Sequence, residues 1–360
     1  MSGKAVNPIS RAAKKTSFAM ASKTSSSPKV LVAGTTILLT VLSCFLFFPC
    51  LNTSSRTTRL IVHRGMGFRT ILYQLHSNGS ITRTWPTLLT ASIIPKLRNI
   101  KPGRYVIPPG MSNFGLLYYL HTQRQDEVRV TLPEGVDLRK VARILSRNLD
   151  IDSTAFMATV SNRKMLAKHG IIMAENAEGY LLPGTYNFAW ASTPDEAAEF
   201  LIGRFRHFYT NRLQNLAAQQ GMNETALLTL ASIVEAETPI DAEKSLIASI
   251  YLNRLKKNIR LQADPTVQYA LGGAARRLYY KDLAADSPYN TYRHNGLPPG
   301  PICNPGTASI LAVLYPAQTR FLYFVATGNG GHYFAESLTE HNANIKKYKI
   351  AKRDMLHESE

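Results

Sequence analysis

Residues 223–238 read Asn-Glu-Thr-Ala-Leu-Leu-Thr-Leu-Ala-Ser-Ile-Val-Glu-Ala-Glu-Thr, and the rest of the chain is best organised around them. Asn223 is a good N-cap because its side-chain oxygen accepts from a free backbone N–H of the first turn. Leu227, Leu230, Ala231 and Val234 follow the i, i+3, i+4, i+7 spacing of an apolar helical stripe. Leu228 and Ile233 widen that stripe until little of the circumference is polar, which predicts a helix inside a protein. It ends in two carboxylates, Glu235 and Glu237. At about 100° per residue they point roughly 200° apart, so they cannot share one site. Glu235 lies above Leu228, Ala231 and Ser232, and Glu237 above Leu230 and Ile233. Apolar surroundings disfavour the charged form and raise a carboxyl pKa, as a general acid requires. Helix geometry permits either glutamate in that role. It equally permits both as exposed or Arg/Lys-paired residues at a helix end.

The chain has 360 residues, 45% of them hydrophobic, enough for a large core and one or two lobes. Its formal charge of +18, from 42 Lys+Arg against 24 Asp+Glu, suits anionic lipid, an acidic polymer or nucleic acid. The basic residues are spread along the chain, without a helix-turn-helix, a zinc-finger spacing or an aromatic RNA-binding signature. No nucleic-acid partner is therefore expected. The cysteines are Cys44, Cys50 and Cys303, the first two in or beside an apolar segment, so no disulfide framework is available.

That apolar segment, Val30 to Phe48, contains no charge, and Lys4, Arg11, Lys14, Lys15, Lys23 and Lys29 precede it without an acid. At about 1.5 Å per residue it spans roughly the 30 Å hydrocarbon core, whereas the apolar region of a signal peptide runs to about 7–15 residues. We expect a cytoplasmic tail over 1–29, a single transmembrane helix over 30–51, and the remainder outside the cytoplasmic membrane, because basic flanks stay inside. A long cleaved signal peptide is the alternative.

Arg59 to His63 alternates like a strand. Phe68, Ile71, Leu72 and Leu75 are spaced as a helix that stops at Asn78-Gly79, and a second helical stretch follows Trp85. Arg104 to Ile107 is strand-like before the turn Pro108-Pro109-Gly110. Over 58–125 this strand, helix, helix, strand order resembles a LysM-like subdomain, a small fold that many cell-wall enzymes use to hold N-acetylated glycans. A spacer that binds nothing has the same order. A second domain is expected over 126–350, with a C-terminal tail over 351–360. It opens with the strand and turn VRVTLPEG (128–135), continues through helical patterns, and includes an ordered loop EGYLLPGTY (178–186) and a helix from about Pro194 to Gln219. No internal repeat is apparent. The class is α+β.

ASIVEAET (231–238), IASIYLNRLKKNIRLQADPTVQYALG (247–272), SPYNTYRHNGLPPGPICNPG (287–306) and FVATGNGGHYFAESLTEHN (324–342) follow one another in order. Together with EGYLLPGTY they resemble the endolytic murein transglycosylases, the YceG-like family, over roughly residues 60 to 350. The resemblance implies a mixed α/β catalytic domain in which Glu235 is the acid/base and Glu237 is structural. Ala236 stands where many relatives carry a lysine, a change on another face of the helix. The implied reaction cuts peptidoglycan between N-acetylmuramic acid and N-acetylglucosamine within a strand and leaves 1,6-anhydromuramoyl ends. It needs no cofactor and no metal. By the same resemblance, penicillin-binding synthases are plausible partners beside the glycan and the membrane.

An oxocarbenium-like transition state and the sugar acetamido groups call for polar partners, which Gln262, Asp264, Tyr289, Asn290 and Tyr292 are suited to supply. Tyr289 and Tyr292 offer aromatic faces for sugar rings, and Asn290 an amide. Asp264-Pro265 also reads as a helix start, and 289–292 as a packed loop. Gly296 to Pro301 is rigid and suits one wall of a groove, with Asn304-Pro305-Gly306 as a further turn. Gly328 to His332 lacks the phosphate-loop lysine and is a tight turn, and His332 with His341 forms no zinc spacing. Two other readings keep the same substrate: a non-catalytic wall-binding scaffold, and a hydrolase with a second carboxylate such as Asp264.

Overall fold

The computed structural model describes residues 28–47, 53–273, 276–328 and 330–357. Of the tail expected over 1–29, residues 1–27 lie outside these and 28–29 belong to the first helix; the end of the expected membrane segment at 48–51 and residues 358–360 also lie outside. Helix α1 (Pro28–Phe47) starts two residues before the expected span. Among the described residues no helix is long and apolar enough to cross a membrane; for α1 the side chains at 28, 30, 31, 42 and 44–47 are outside that description.

The next unit is strand β1 (Thr58–Val62), helices α2 (Phe68–Ser77) and α3 (Thr84–Ile93), strand β2 (Gly103–Ile107) and helix α4 (Asn113–Thr122). β1 and β2 pair antiparallel, with Thr58 opposite Ile107 and Val62 opposite Gly103. Period-two alternation turns Leu60, Val62, Tyr105 and Ile107 inward, onto Ile71, Leu75, Leu116 and Leu120 of the helices. These side chains form a core separate from that of the rest of the chain.

The second unit repeats the plan: strand β3 (Glu127–Leu132), helices α5 (Leu138–Asn148), α6 (Ser153–Val160) and α7 (Arg163–Lys168), and strand β4 (Gly184–Ala189) antiparallel to β3. Val62 faces Gly103 in the first sheet and Leu132 faces Gly184 in the second. Each glycine follows a proline and precedes, by two residues, a tyrosine whose hydroxyl donates four residues back. Tyr105 reaches Lys101 O at 2.5 Å and Tyr186 reaches Leu182 O at 2.7 Å. The tyrosine ring folds over its glycine, so a Cβ at Gly184 would meet the Tyr186 ring at 3.2–3.6 Å. An internal repeat therefore exists, contrary to the sequence reading. It escaped because it resides in strand pairing and one Pro-Gly-x-Tyr signature, while the helices between differ in number.

The joint between the two units is polar. His63 meets Asp150 at 3.0 Å, Arg64 meets Glu196 at 3.2 Å, and Arg104 pairs with Asp126 and lies 5.8 Å over the Trp190 ring.

Helix α8 (Pro194–Phe208) opens with a capping box between Thr193 and Glu196. A π-turn at Tyr209–Leu213 leads into α9 (Gln214–Gln219), so the helix expected over 194–219 is present with one wide turn in it. Then come α10 (Glu224–Glu237), α11 (Asp241–Lys256), α12 (Asp264–Ala270) and α13 (Thr307–Leu314). Strands β5 (Tyr323–Ala326) and β6 (His332–Ala335) form a hairpin, and α14 (Leu338–His357) runs on past residue 350. Ala326 pairs with His332 at the closed end of the hairpin, and Thr327 N–H donates to Gly331 O at 2.8 Å. α10 packs against α11, α12 and α13. Every residue from Leu227 to Val234 is buried, and Asn223 caps the helix by accepting from Ala226 N–H at 2.8 Å.

Candidate active site

The two glutamates at the end of α10 go to different places, as their angular separation requires. Glu235 stands at the N-terminus of α13, where backbone N–H groups and the helix dipole favour an anion. Its Oε2 accepts from Gly306 N–H at 3.0 Å and from the Ser309 hydroxyl at 2.6 Å, and lies 3.5 Å from Lys244 Nζ. Its Oε1 accepts no hydrogen bond among the described residues, so all three donors hold one oxygen and leave the other available. The side chain is 8% exposed. Glu237 instead accepts from the Tyr251 hydroxyl at 2.6 Å. Burial pushes its carboxyl up to about 7, against the pull of that hydrogen bond.

Lys244 was missed by the sequence reading. It lies with Ile247, Ala248 and Tyr251 on the buried stripe of α11, and a lysine at the head of an apolar stripe is the signal that would have exposed it. Its side chain is 2% exposed and reaches Asp241 Oδ1 at 2.8 Å, Glu235 Oε2 at 3.5 Å and Glu134 Oε2 at 4.0 Å. Burial opposes the ammonium charge, but Asp241, Glu235 and Glu134 outweigh it and hold Lys244 above its ordinary value. One residue earlier, Glu243 takes the backbone N–H of His332 at 2.9 Å and its ring Nδ1 at 2.7 Å, tying the β5–β6 turn to the head of α11.

Beneath Glu235 three loops distant in sequence are tied by one amide. Asn304 is fully buried; its Oδ1 accepts from Gly179 and Leu181 N–H, both at 3.0 Å, and its Nδ2 donates to Val136 O at 2.9 Å and Glu178 Oε1 at 3.2 Å. Backbone bonds between Gly135 and Asn304, and between Asn304 and Val136, complete the tie. From there the chain runs two residues to Gly306, the donor to Glu235. On the other side Ser232 Oγ accepts from Ile302 N–H at 3.0 Å, and the buried Cys303 thiol donates to Ser232 O. The EGYLLPGTY loop and the Asn-Pro-Gly turn are thus the floor on which the carboxylate rests.

Both oxygens of Glu178 accept from Leu138 N–H at 3.1 Å. Burial pushes this carboxyl up from 4.5 to about 8 despite that bond. The folded protein therefore holds a proton that the unfolded chain releases, so stability is full below about 4.5 and is lost as pH rises through about 8. Melting midpoints are expected to fall between about pH 5 and about pH 9, and Glu178→Gln to flatten that slope. Calorimetric scans across the range check this, and an unaltered slope in the variant would refute it.

The five residues expected to surround the acid do not hydrogen-bond to Glu235. Asp264 and Tyr292 join each other at 2.5 Å on the side of Glu237, whose carboxyl feels the Asp264 charge. Asp264 is the first residue of α12, with Ala263 in the cap position. Asn290 is fully buried, donating to Leu283 O at 2.9 Å and Ala285 O at 2.8 Å and accepting from Tyr292 N–H at 3.0 Å. It therefore braces its own loop instead of offering an amide to a sugar. Tyr289 packs on Tyr269 with ring centres 4.9 Å apart. Gln262 is exposed, at a positive φ of 52°. Leu297, Pro298 and Pro299 line a cavity of about 480 Å³ with Asn223, Thr225 and Thr229 at the other end of α10.

The sequence profile of the YceG-like family matches residues 60–347, four-fifths of the chain. The chain belongs to the YceG-like family. This YceG-like chain is 43% identical over 180 residues to an endolytic murein transglycosylase of Bacillus subtilis (strain 168), covering 49% of each protein. It is 27% identical over 299 residues to one of Streptococcus pneumoniae serotype 2 (strain D39 / NCTC 7466), covering 72% of this chain and 53% of that one. The chain spans about half the length of the curated relatives it matches. A crystal structure of a YceG-like protein from Listeria monocytogenes superposes with a TM-score of 0.57 at 30% identity, covering 81% of the YceG-like chain here and 99% of that one.

Proposed function

We propose that this protein is an endolytic peptidoglycan lytic transglycosylase in which Glu235 serves as both acid and base. The observation that carries this reading is the Glu235 carboxyl: one oxygen is held by Gly306, Ser309 and Lys244, and the other is unengaged. Protonated, Glu235 gives its proton to the oxygen bridging N-acetylmuramic acid to N-acetylglucosamine, and the C1–O bond breaks. The resulting carboxylate takes the proton of the muramic C6 hydroxyl, whose oxygen bonds to C1. Glu235 ends as it began, and no water is consumed. Two B. subtilis and S. pneumoniae relatives that carry the name endolytic murein transglycosylase support the same reaction class.

The hydrolase alternative with Asp264 loses support, because that carboxylate is bonded to Tyr292 on the side of Glu237. For substrate contacts, Gln262 and Asp264 are the exposed members of the expected group, with Tyr289 and Tyr292 partly covered and Asn290 buried. The first unit has the strand, helix, helix, strand order of a LysM-like glycan-binding module, and we assign it that role.

The protein is further proposed to sit in the cytoplasmic membrane through α1, with both sheet units and the catalytic helices outside, near penicillin-binding synthases. Val32, Ile37, Leu38, Leu39 and Val41 of α1 are between 53% and 67% exposed, as suits side chains whose solvent is lipid. Mass spectrometry of glycan strands digested by the full chain in detergent tests the reaction. Anhydro ends within long strands are expected. Reducing ends would mean a hydrolase, and unaltered glycan a binding protein.

A further inference from the structure

Glu134, in the Pro-Glu-Gly turn after β3, is the third carboxylate on Lys244, and nothing in the fold accounts for it. Among the described residues it accepts no hydrogen bond and caps no helix. Its charged partner is Lys244 Nζ at 4.0 Å. Its carboxyl lies against the Cα of Gly306, where a Cβ would come within 2.1 Å of the Glu134 carboxyl carbon. The residue whose N–H holds Glu235 must therefore be a glycine for Glu134 to sit where it does. Gly135, next in sequence, has Glu235 Cγ 3.6 Å from its own Cβ position. Glu134 is half exposed, whereas Glu235 is almost covered.

We infer that Glu134 is a positioning residue of this site, which acts on Glu235 through the Lys244 ammonium that both carboxylates share. The inference rests on the reading of Glu235 as acid and base. Lys244 lies 3.5 Å from Glu235, and its charge is divided among Glu235, Asp241 and Glu134. The groups facing the pair are Lys244 and Asp241 of α11, with the Cys303 thiol and the N-terminus of α13 behind. Three carboxylates then share one ammonium, and taking one of them away leaves more of its pull on the other two. In agreement, burial and then the charge of Glu235 raise the Glu134 carboxyl against the pull of Lys244.

The test is Glu134→Gln in the full chain in detergent, assayed on uncross-linked glycan strands for anhydro ends across about pH 5 to 9. With the repelling charge gone, Lys244 dominates, and the alkaline limb of kcat/KM moves down by about one pH unit. Above the limb activity falls about tenfold, it returns on acidification, and KM changes less than kcat. Glu134→Asp, which withdraws the charge by one methylene, moves the limb part of the way and carries the test should the glutamine variant unfold. A limb that stays in place, whether activity is kept or falls evenly at every pH, overturns the inference. If Glu235→Gln stays active, it is the acid/base reading that fails; if Glu235→Gln is dead and the limb is unmoved, this inference alone fails.

Discussion

Glu235→Gln is expected to reduce the yield of anhydro-ended glycan by at least about 10³-fold, because the proposed mechanism gives both proton transfers to one group and each is worth about 10²–10⁴. The fold should survive. Oε2 receives every donor, so a glutamine can keep its carbonyl oxygen toward Gly306, Ser309 and Lys244 and place its NH₂ where Oε1 stood. Product mass spectrometry gives the loss, and an unaltered melting curve separates it from unfolding. Glu237→Gln is the control. Its carboxyl is already pushed up to about 7 by burial and bonded to Tyr251, so an amide changes little, and activity should stay within a few-fold of wild type. Loss of activity on Glu237→Gln with retention on Glu235→Gln would transfer the chemistry to the other face of α10.

Asn304→Ala is expected to be the most destabilising single truncation near the site. It leaves the buried N–H groups of Gly179 and Leu181 without acceptors, at about 1–3 kcal/mol each. It also releases the carbonyl of Val136 from one of its donors. A total of about 3–5 kcal/mol corresponds to a melting midpoint lowered by roughly 8–15 °C in a domain of this size. Calorimetry measures it. Activity of the remaining folded fraction should fall as well, because the turn from Asn304 to Gly306 sets the N–H that holds Glu235. A midpoint within about 2 °C of wild type would show that the tie is not what holds the floor.

What the residues disclosed in advance was local. The helix over 224–237, its Asn223 cap, the opposition of Glu235 and Glu237, the strand and helix order of the first unit and the turn at 328–332 all follow from periodicity and turn chemistry. What they withheld was convergence. Lys244, Glu134, Ser309 and Gly306 come to Glu235 from three segments, and no spacing rule links positions 71 and 74 residues apart. Asn304 read as a turn residue, though its side chain crosses to partners 123 to 168 residues away. The same blindness hid the surroundings of Asn290, Asp264 and Tyr292. Their residue types suit sugars, but burial and hydrogen bonding, invisible in one dimension, commit Asn290 to its loop and the other two to the side of Glu237. The repeat was hidden for a related reason, since strand register is a pairing between segments and not a property of either.

The tie at Asn304 also fixes an order of events in time. A chain grows from its N-terminus, so Gly135, Glu178 and Glu235 are all made before Asn304, Gly306 and Ser309, and Val136 waits 168 residues for its amide. Closing so long a loop is slow and comes late in folding. Until then Glu235 has neither its anion-holding helix nor its floor. The first sheet unit, with a core of its own, is complete long before, so the nascent chain closes that unit early and the surroundings of Glu235 only after Ser309 has been made.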